Sequence, residues 1–175
     1  MKYFPKPIEA PLSLLSLESN CGIMTAWMVL RYFRKRVSLK NLLEACHYSR
    51  NNGTFTIGIA YAFKKLGLNV GFYSDLDNNK DPVEVLLYKK SKLIGLDVKN
   101  AITICDLLRS INNDCISVVF FDLDNGAGHF SPLIGRRNRH IILPYTETGK
   151  MSIEKFEKKW KANGNCRQCI LVSRE

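Results

Sequence analysis

The chain has 175 residues, 46% of them hydrophobic and 10% aromatic, which is long and apolar enough to bury a core and excludes a disordered chain. Its net charge is +10, from 26 Lys and Arg against 16 Asp and Glu. The cations are dispersed, densest at residues 31–36, 89–92, 136–139 and 155–161, and no aromatic-interleaved pattern accompanies them, which favours acidic contacts but argues against nucleic acid.

No run approaches the roughly 18 apolar residues of a membrane span. The start, Met1 to Pro7, holds no leader-like apolar segment. The expectation is a protein that is cytoplasmic, or exported without a cleaved signal peptide. Pro5, Pro7 and Pro11 predict an extended arm over residues 1–11, ahead of a single domain over residues 12–175.

Asn20-Cys21-Gly22 opens an apolar stretch running to about Lys35, with Trp27, Leu30 and Phe33 at helical spacing. Asn20 reads as the N-cap of this amphipathic helix. Cys21 then sits on its first turn, where the helix dipole favours thiolate over thiol. Ser38 caps a second helix, Leu39 to Cys46, and Thr56 to Leu66 forms a third, closed by Gly67. Asn69 to Tyr73 is a short strand. Asp81-Pro82 starts the helix Val83 to Lys89, and Asn100 is expected to open another, Ala101 to Ile111.

The character then changes. Cys115 to Phe121 is β-rich, and a turn at residues 122–126 follows. Gly126-Ala127-Gly128 leads into His129, the start of a strand to Ile134. Gly135 to Asn138 reads as the turn to a strand Arg139 to Leu143. Ser152 caps a helix to Lys161, and Cys169 to Ser173 is a last strand. Helices segregated from mostly antiparallel strands mean an α+β fold.

A Cys at a helix start, with a His at a strand start more than a hundred residues later, is the layout of a papain-like thiol site. The other cysteines read as structural. Cys46, Cys105 and Cys115 lie in apolar patterns, and the lone Cys166-Arg167-Gln168-Cys169 lacks the further ligands that zinc needs. No cofactor or metal is expected. His47 and His140 read as ordinary, with His140 the reserve base.

The stretch NCGIMTAWMVLRYF resembles the nucleophile helix of the C39-like group of papain-fold bacterial cysteine peptidases. GTFTIGIAYAFKKLGLNV resembles the family's next helix and strand, GHFSPLIG its Gly-His strand, and His140 to Gly149 with MSIEKF its last hairpin and helix. The resemblance implies a helical N-terminal half packed on a C-terminal antiparallel sheet. It implies Cys21 as nucleophile and His129 as general base, acting on a peptide or protein substrate, an acidic one among those the charge favours. Leader-peptide processing and toxin or effector roles both occur in such a family. The same chemistry serves deamidation or acyl transfer, and degenerate members bind without cleaving.

Two positions depart from the family pattern. The oxyanion-hole Gln is replaced by Leu15, and the His-orienting Asp or Asn before a Pro is replaced by Leu143, before Pro144. Ser16, Asn20 and Asn138 are the candidate replacement donors. Tyr145 or Glu147 is expected to approach His129.

Overall fold

The computed structural model describes residues 3–174. The N-terminal segment winds into a 3-10 turn at Pro7–Glu9, so it is not extended throughout, and Phe4 packs its ring on Tyr32. Seven helices follow among the described residues: α1 (Leu12–Leu15), α2 (Cys21–Tyr32), α3 (Leu39–Ala45), α4 (Thr56–Lys65), α5 (Pro82–Leu93), α6 (Ile104–Ser110) and α7 (Ile153–Trp160). The strands are β1 (Leu68–Ser74), β2 (Val98–Asn100), β3 (Cys115–Asp122), β4 (Gly128–Leu133), β5 (Gly135–Arg137), β6 (His140–Ile142), β7 (Lys150–Ser152) and β8 (Cys169–Arg174).

Five strands form one sheet in the order β2-β1-β8-β3-β4, antiparallel except for the parallel β1–β2 pair. Alternation along β3 divides the core. Ile116 and Val118 face a cluster built with α2, α3, α4 and Leu87 of α5. Val119 and Phe121 face the other side, against Ile104 and Leu107 of α6, Phe156 and Trp160 of α7, and Ile141 and Leu143. The fold is α+β, with helices on both faces of an antiparallel-rich sheet.

The sequence reading of α2 as an amphipathic helix is corrected. Ile23, Met24, Ala26, Met28, Val29 and Leu30 are all buried, and only Cys21 at its start, Trp27 and the C-terminal turn reach the surface. A helix apolar nearly all round is a core helix. Burying each of its larger side chains contributes roughly 1.5–3 kcal/mol.

Two further boundaries differ. Asn100 ends β2 beside Ser74 of β1, and Thr103 caps α6 by accepting from the Asp106 amide. The segment 135–138 is mostly strand: β5 pairs with β6 through Arg137–His140, leaving Asn138-Arg139 as a two-residue hairpin turn. Asn138 takes the left-handed conformation (φ 55°) that such turns need.

Candidate active site

Asn20 does not cap α2. Its backbone is already helical (φ −84°, ψ −3°), whereas a capping side chain needs an extended residue beneath it. The side chain instead turns back. Its Nδ2 donates to the carbonyls of Leu14 and Leu15, both at 3.2 Å, and its Oδ1 accepts a long bond of 3.4 Å from the Tyr145 hydroxyl. No side-chain cap therefore occupies the first amides of α2.

Those amides bear on Cys21. Its sulfur lies against the backbone N–H of Phe130, of Gly22 and of Cys21 itself. The contact with Phe130 brings the thiol to β4, one residue past His129. Burial nevertheless dominates, and pushes the Cys21 thiol above its ordinary value while the amides oppose the rise. The expected thiolate-favouring helix start is thus outweighed by desolvation.

Gly22 lets α2 sit close to Thr54, in the segment before α4, and to β4. A Cβ there would stand 2.3 Å from Thr54 Cγ2 and 3.2 Å from Phe130 Cδ2. Thr25 fixes the same junction through a buried bond from its Oγ1 to the Phe130 carbonyl, 3.1 Å. Gly128 does the equivalent on the other side of His129, since a Cβ there would meet the Phe120 ring at 2.3 Å.

His129 pairs across the sheet with Phe121, whose ring it meets edge-on at 5.8 Å. Its Nε2 lies 2.6 Å from the Tyr145 carbonyl oxygen. A carbonyl can only accept, so Nε2 carries the hydrogen and Nδ1 is left as the basic nitrogen. Burial holds the His129 pKa below the usual histidine value, with the Tyr145 carbonyl opposing. Burial thus favours the neutral form of each group.

The loop that carries Tyr145 is closed on itself. Leu143 N–H donates to the Gly149 carbonyl at 3.0 Å, and Thr146 Oγ1 to the Leu143 carbonyl at 2.9 Å. The Tyr145 amide donates to Ser131 Oγ at 3.3 Å. Leu143 is fully buried in the core beyond β4, so an apolar residue suits that position. Tyr145 supplies the acceptor two residues later, from its backbone. Burial raises the Tyr145 phenol pKa, and its hydroxyl is close enough to Cys21 that a thiolate there would raise it further.

The remaining candidates are not brought to Cys21. Ser16 ends α1 and its hydroxyl bonds locally to the Ser13 carbonyl at 3.4 Å. Asn138 is exposed on its hairpin turn, and Glu147 and His140 are also exposed. Leu15 lines an apolar groove with Ile134, Ile142 and Pro144. His47 packs on Tyr61. The backbone carbonyl of Tyr145 was beyond sequence reasoning, because every residue type carries the same group.

A cleft of about 530 Å³ opens on Cys21, bounded by Gly53, Thr54, Phe120, Gly128 and Phe130. Its charged lining is Asp77, Asp81 and Glu84, without a cation, in a chain of net charge +10. The bulk charge pointed to acidic substrates, but the cleft has the opposite sign. Among the described residues no cluster of His, Cys, Asp and Glu could hold a metal, and no helix is long and apolar enough to cross a membrane.

The family model for the Peptidase C39 family matches residues 11–106, more than half of the chain and including Cys21. The chain belongs to the Peptidase C39 family. Solved C39 domains share its fold. The peptidase domain of Streptococcus ComA, described as a bi-functional ABC transporter involved in quorum sensing, is 18% identical with a TM-score of 0.53, over 89% of this chain and 91% of that one. A double glycine motif protease from an AMS/PCAT transporter, solved with its leader peptide, is 19% identical with a TM-score of 0.55, covering 91% and 88%. A C39-like peptidase structure from Bacillus anthracis is 17% identical with a TM-score of 0.58, covering 91% and 90%. No curated protein matches this C39 member in sequence.

Proposed function

We propose that this C39 protein is a cysteine peptidase that cleaves a peptide bond with Cys21 and His129. The observation that carries the reading is the hydrogen bond of His129 to the Tyr145 carbonyl, 2.6 Å, which presents Nδ1 as a base while the Cys21 thiol lies against the next residue's amide. The carbonyl does the orienting work of the family's carboxylate without its charge. The imidazolium formed on proton transfer is thereby less stabilised, and the rate is lower than a full triad gives.

In this mechanism the Cys21 sulfur attacks the substrate carbonyl carbon as its proton moves to His129 Nδ1. The oxyanion is held by the Cys21 backbone N–H and by the Tyr145 hydroxyl, which exchanges its long bond to Asn20 for the stronger charge-assisted one. His129 then protonates the leaving amine, and a thioester remains on Cys21. Water, deprotonated by His129, releases the acyl group and restores the thiol. Peptides with a small-residue cleavage site, the double glycine named for one structural relative among them, are the substrates to try first.

The test is cleavage of a peptide mixture, read by mass spectrometry, by the unmodified protein and by Cys21→Ala, His129→Ala and Tyr145→Phe. Cleavage lost in the first two, and slowed by up to about 10²-fold in the third, is the expected pattern. Peptide binding without cleavage by the unmodified protein would make it a binding module instead. Cleavage that survives Cys21→Ala would refute the assignment outright.

A further inference from the structure

We propose that the Cys21 cleft recognises its peptide by a Lys or Arg side chain, seated among Glu84, Asp77 and Asp81; this rests on the peptidase reading and names the substrate class of the same site. The sign of the cleft is the first argument. A protein with an excess of ten positive charges places three carboxylates and no cation on the walls of the cavity that opens on its candidate nucleophile.

Glu84 is the second argument. The residue is only 6% exposed, lies on the first turn of α5 and lines the cleft, yet it has no ion pair among the described residues. A carboxylate so deeply desolvated needs a partner to ionise. Its polar neighbours are the Tyr88 hydroxyl and Gln168, both neutral. Lys80, whose charge reaches Glu84, forms no ion pair with it: its ammonium lies 5.2 Å over the Tyr88 ring and donates to the Asp77 carbonyl. Gln168 is held by Thr56, whose hydroxyl donates to it.

The geometry selects the kind of cation. The carboxylates do not bring three donors around one point, so the set is unsuited to a metal ion. They are spread along a cleft bordered by aromatic Phe120 and Phe130 and by Gly53 and Gly128. That arrangement fits a long side chain whose methylenes lie on apolar walls while its charged end reaches Glu84. Asp77 and Asp81 each spend one oxygen locally, on the amides of Asn79 and Val83 at 2.8 Å, and keep the other for the rim.

The test is binding to the Cys21→Ala protein, which needs no chemistry. Fluorescent Gly/Ala peptides carry a single Arg, norleucine or Glu walked through each position, and anisotropy is read. Arg is expected to outbind norleucine by about tenfold at one or two adjacent positions, and Glu to bind more weakly than either. The advantage falls below about threefold in Glu84→Gln and, separately, in Asp77→Asn/Asp81→Asn, and shrinks with added salt. The double variant keeps the local turn and cap, because Asn accepts the same bonds, so a folding defect in Glu84→Gln does not decide the result. Equal binding of Arg and norleucine, no binding at all, or an advantage that survives both changes overturns the proposal. Cleavage by the unmodified protein is scored apart: peptides cut without regard to Arg would leave the peptidase reading standing and this one refuted.

Discussion

Gly22→Ala offers a sharp test of how α2 meets the segment that leads into α4. The new methyl would lie 2.3 Å from Thr54 Cγ2, against the roughly 3.5–4.0 Å of a normal carbon contact, so more than about 1 Å of movement is required. Thr54 is poorly placed to yield. It is 6% exposed, and its Oγ1 donates to the Cys46 carbonyl at 2.6 Å. Rotation away would forfeit that bond, worth about 0.5–1.5 kcal/mol. Overpacking otherwise costs about 1–3 kcal/mol, partly offset by up to about 1 kcal/mol of helix propensity. The net expectation is a loss of roughly 1–3 kcal/mol, read by urea unfolding through the fluorescence of Trp27 and Trp160. Thr54→Ser removes the offending methyl and keeps the hydroxyl bond. In that background Gly22→Ala should cost at least about 1 kcal/mol less than in the unmodified protein. Additivity of the two changes within about 0.5 kcal/mol would refute the steric argument.

Further outcomes follow from the charges. Because burial lowers the His129 pKa, the acid limb of kcat/KM should fall below the usual histidine value of about 6.5; an acid limb above 6.5 would mean that a negative group supports the ring. The unfolded chain binds that proton at a higher pH than the folded one does. Stability should therefore drop as pH falls from about 6.5 to the folded value, by an amount that His129→Gln removes in pH-dependent unfolding curves. Iodoacetamide should label native Cys21 at a rate that climbs with pH beyond neutrality, since burial raises its thiol pKa, while Cys46 and Cys169, fully buried and pushed up to about 12, stay unlabelled. A labelling plateau near neutral pH would instead show a thiolate at rest. Asp75→Asn should destabilise by about 1 kcal/mol in urea unfolding, because Arg167 clasps the carboxylate with two bonds of 2.7 and 2.6 Å at the edge of β1.

What was legible in the sequence was local. Ser38, Asp81 and Ser152 cap their helices as read, because each cap needs only an extended backbone and an amide two or three residues on. Asn20 has the same chemistry but not the same backbone, and Ser19 before it is already left-handed (φ 46°). The approach of the Cys21 helix to the Gly-His strand was readable from residue types and order. The partner of His129 was not, because main-chain acceptors leave no mark in a sequence. Nor was the acidic cleft, which joins a loop and α5 to the Cys21 turn across more than fifty residues and runs against the charge of the whole chain.

The carbonyl that holds His129 belongs to position 145 whatever its side chain. Its direction is set by the closed ring from Leu143 to Gly149, where Gly149 is left-handed (φ 67°). Substitution of the tyrosine therefore removes its hydroxyl but leaves the acceptor in place, whereas shortening that loop by one residue, or giving left-handed Gly149 a side chain, would strain the ring that aims it. The orienting half of the site is thus carried by the length and closure of a loop, and only the oxyanion half by the tyrosine side chain, which is the inverse of what a search for a third catalytic side chain looks for.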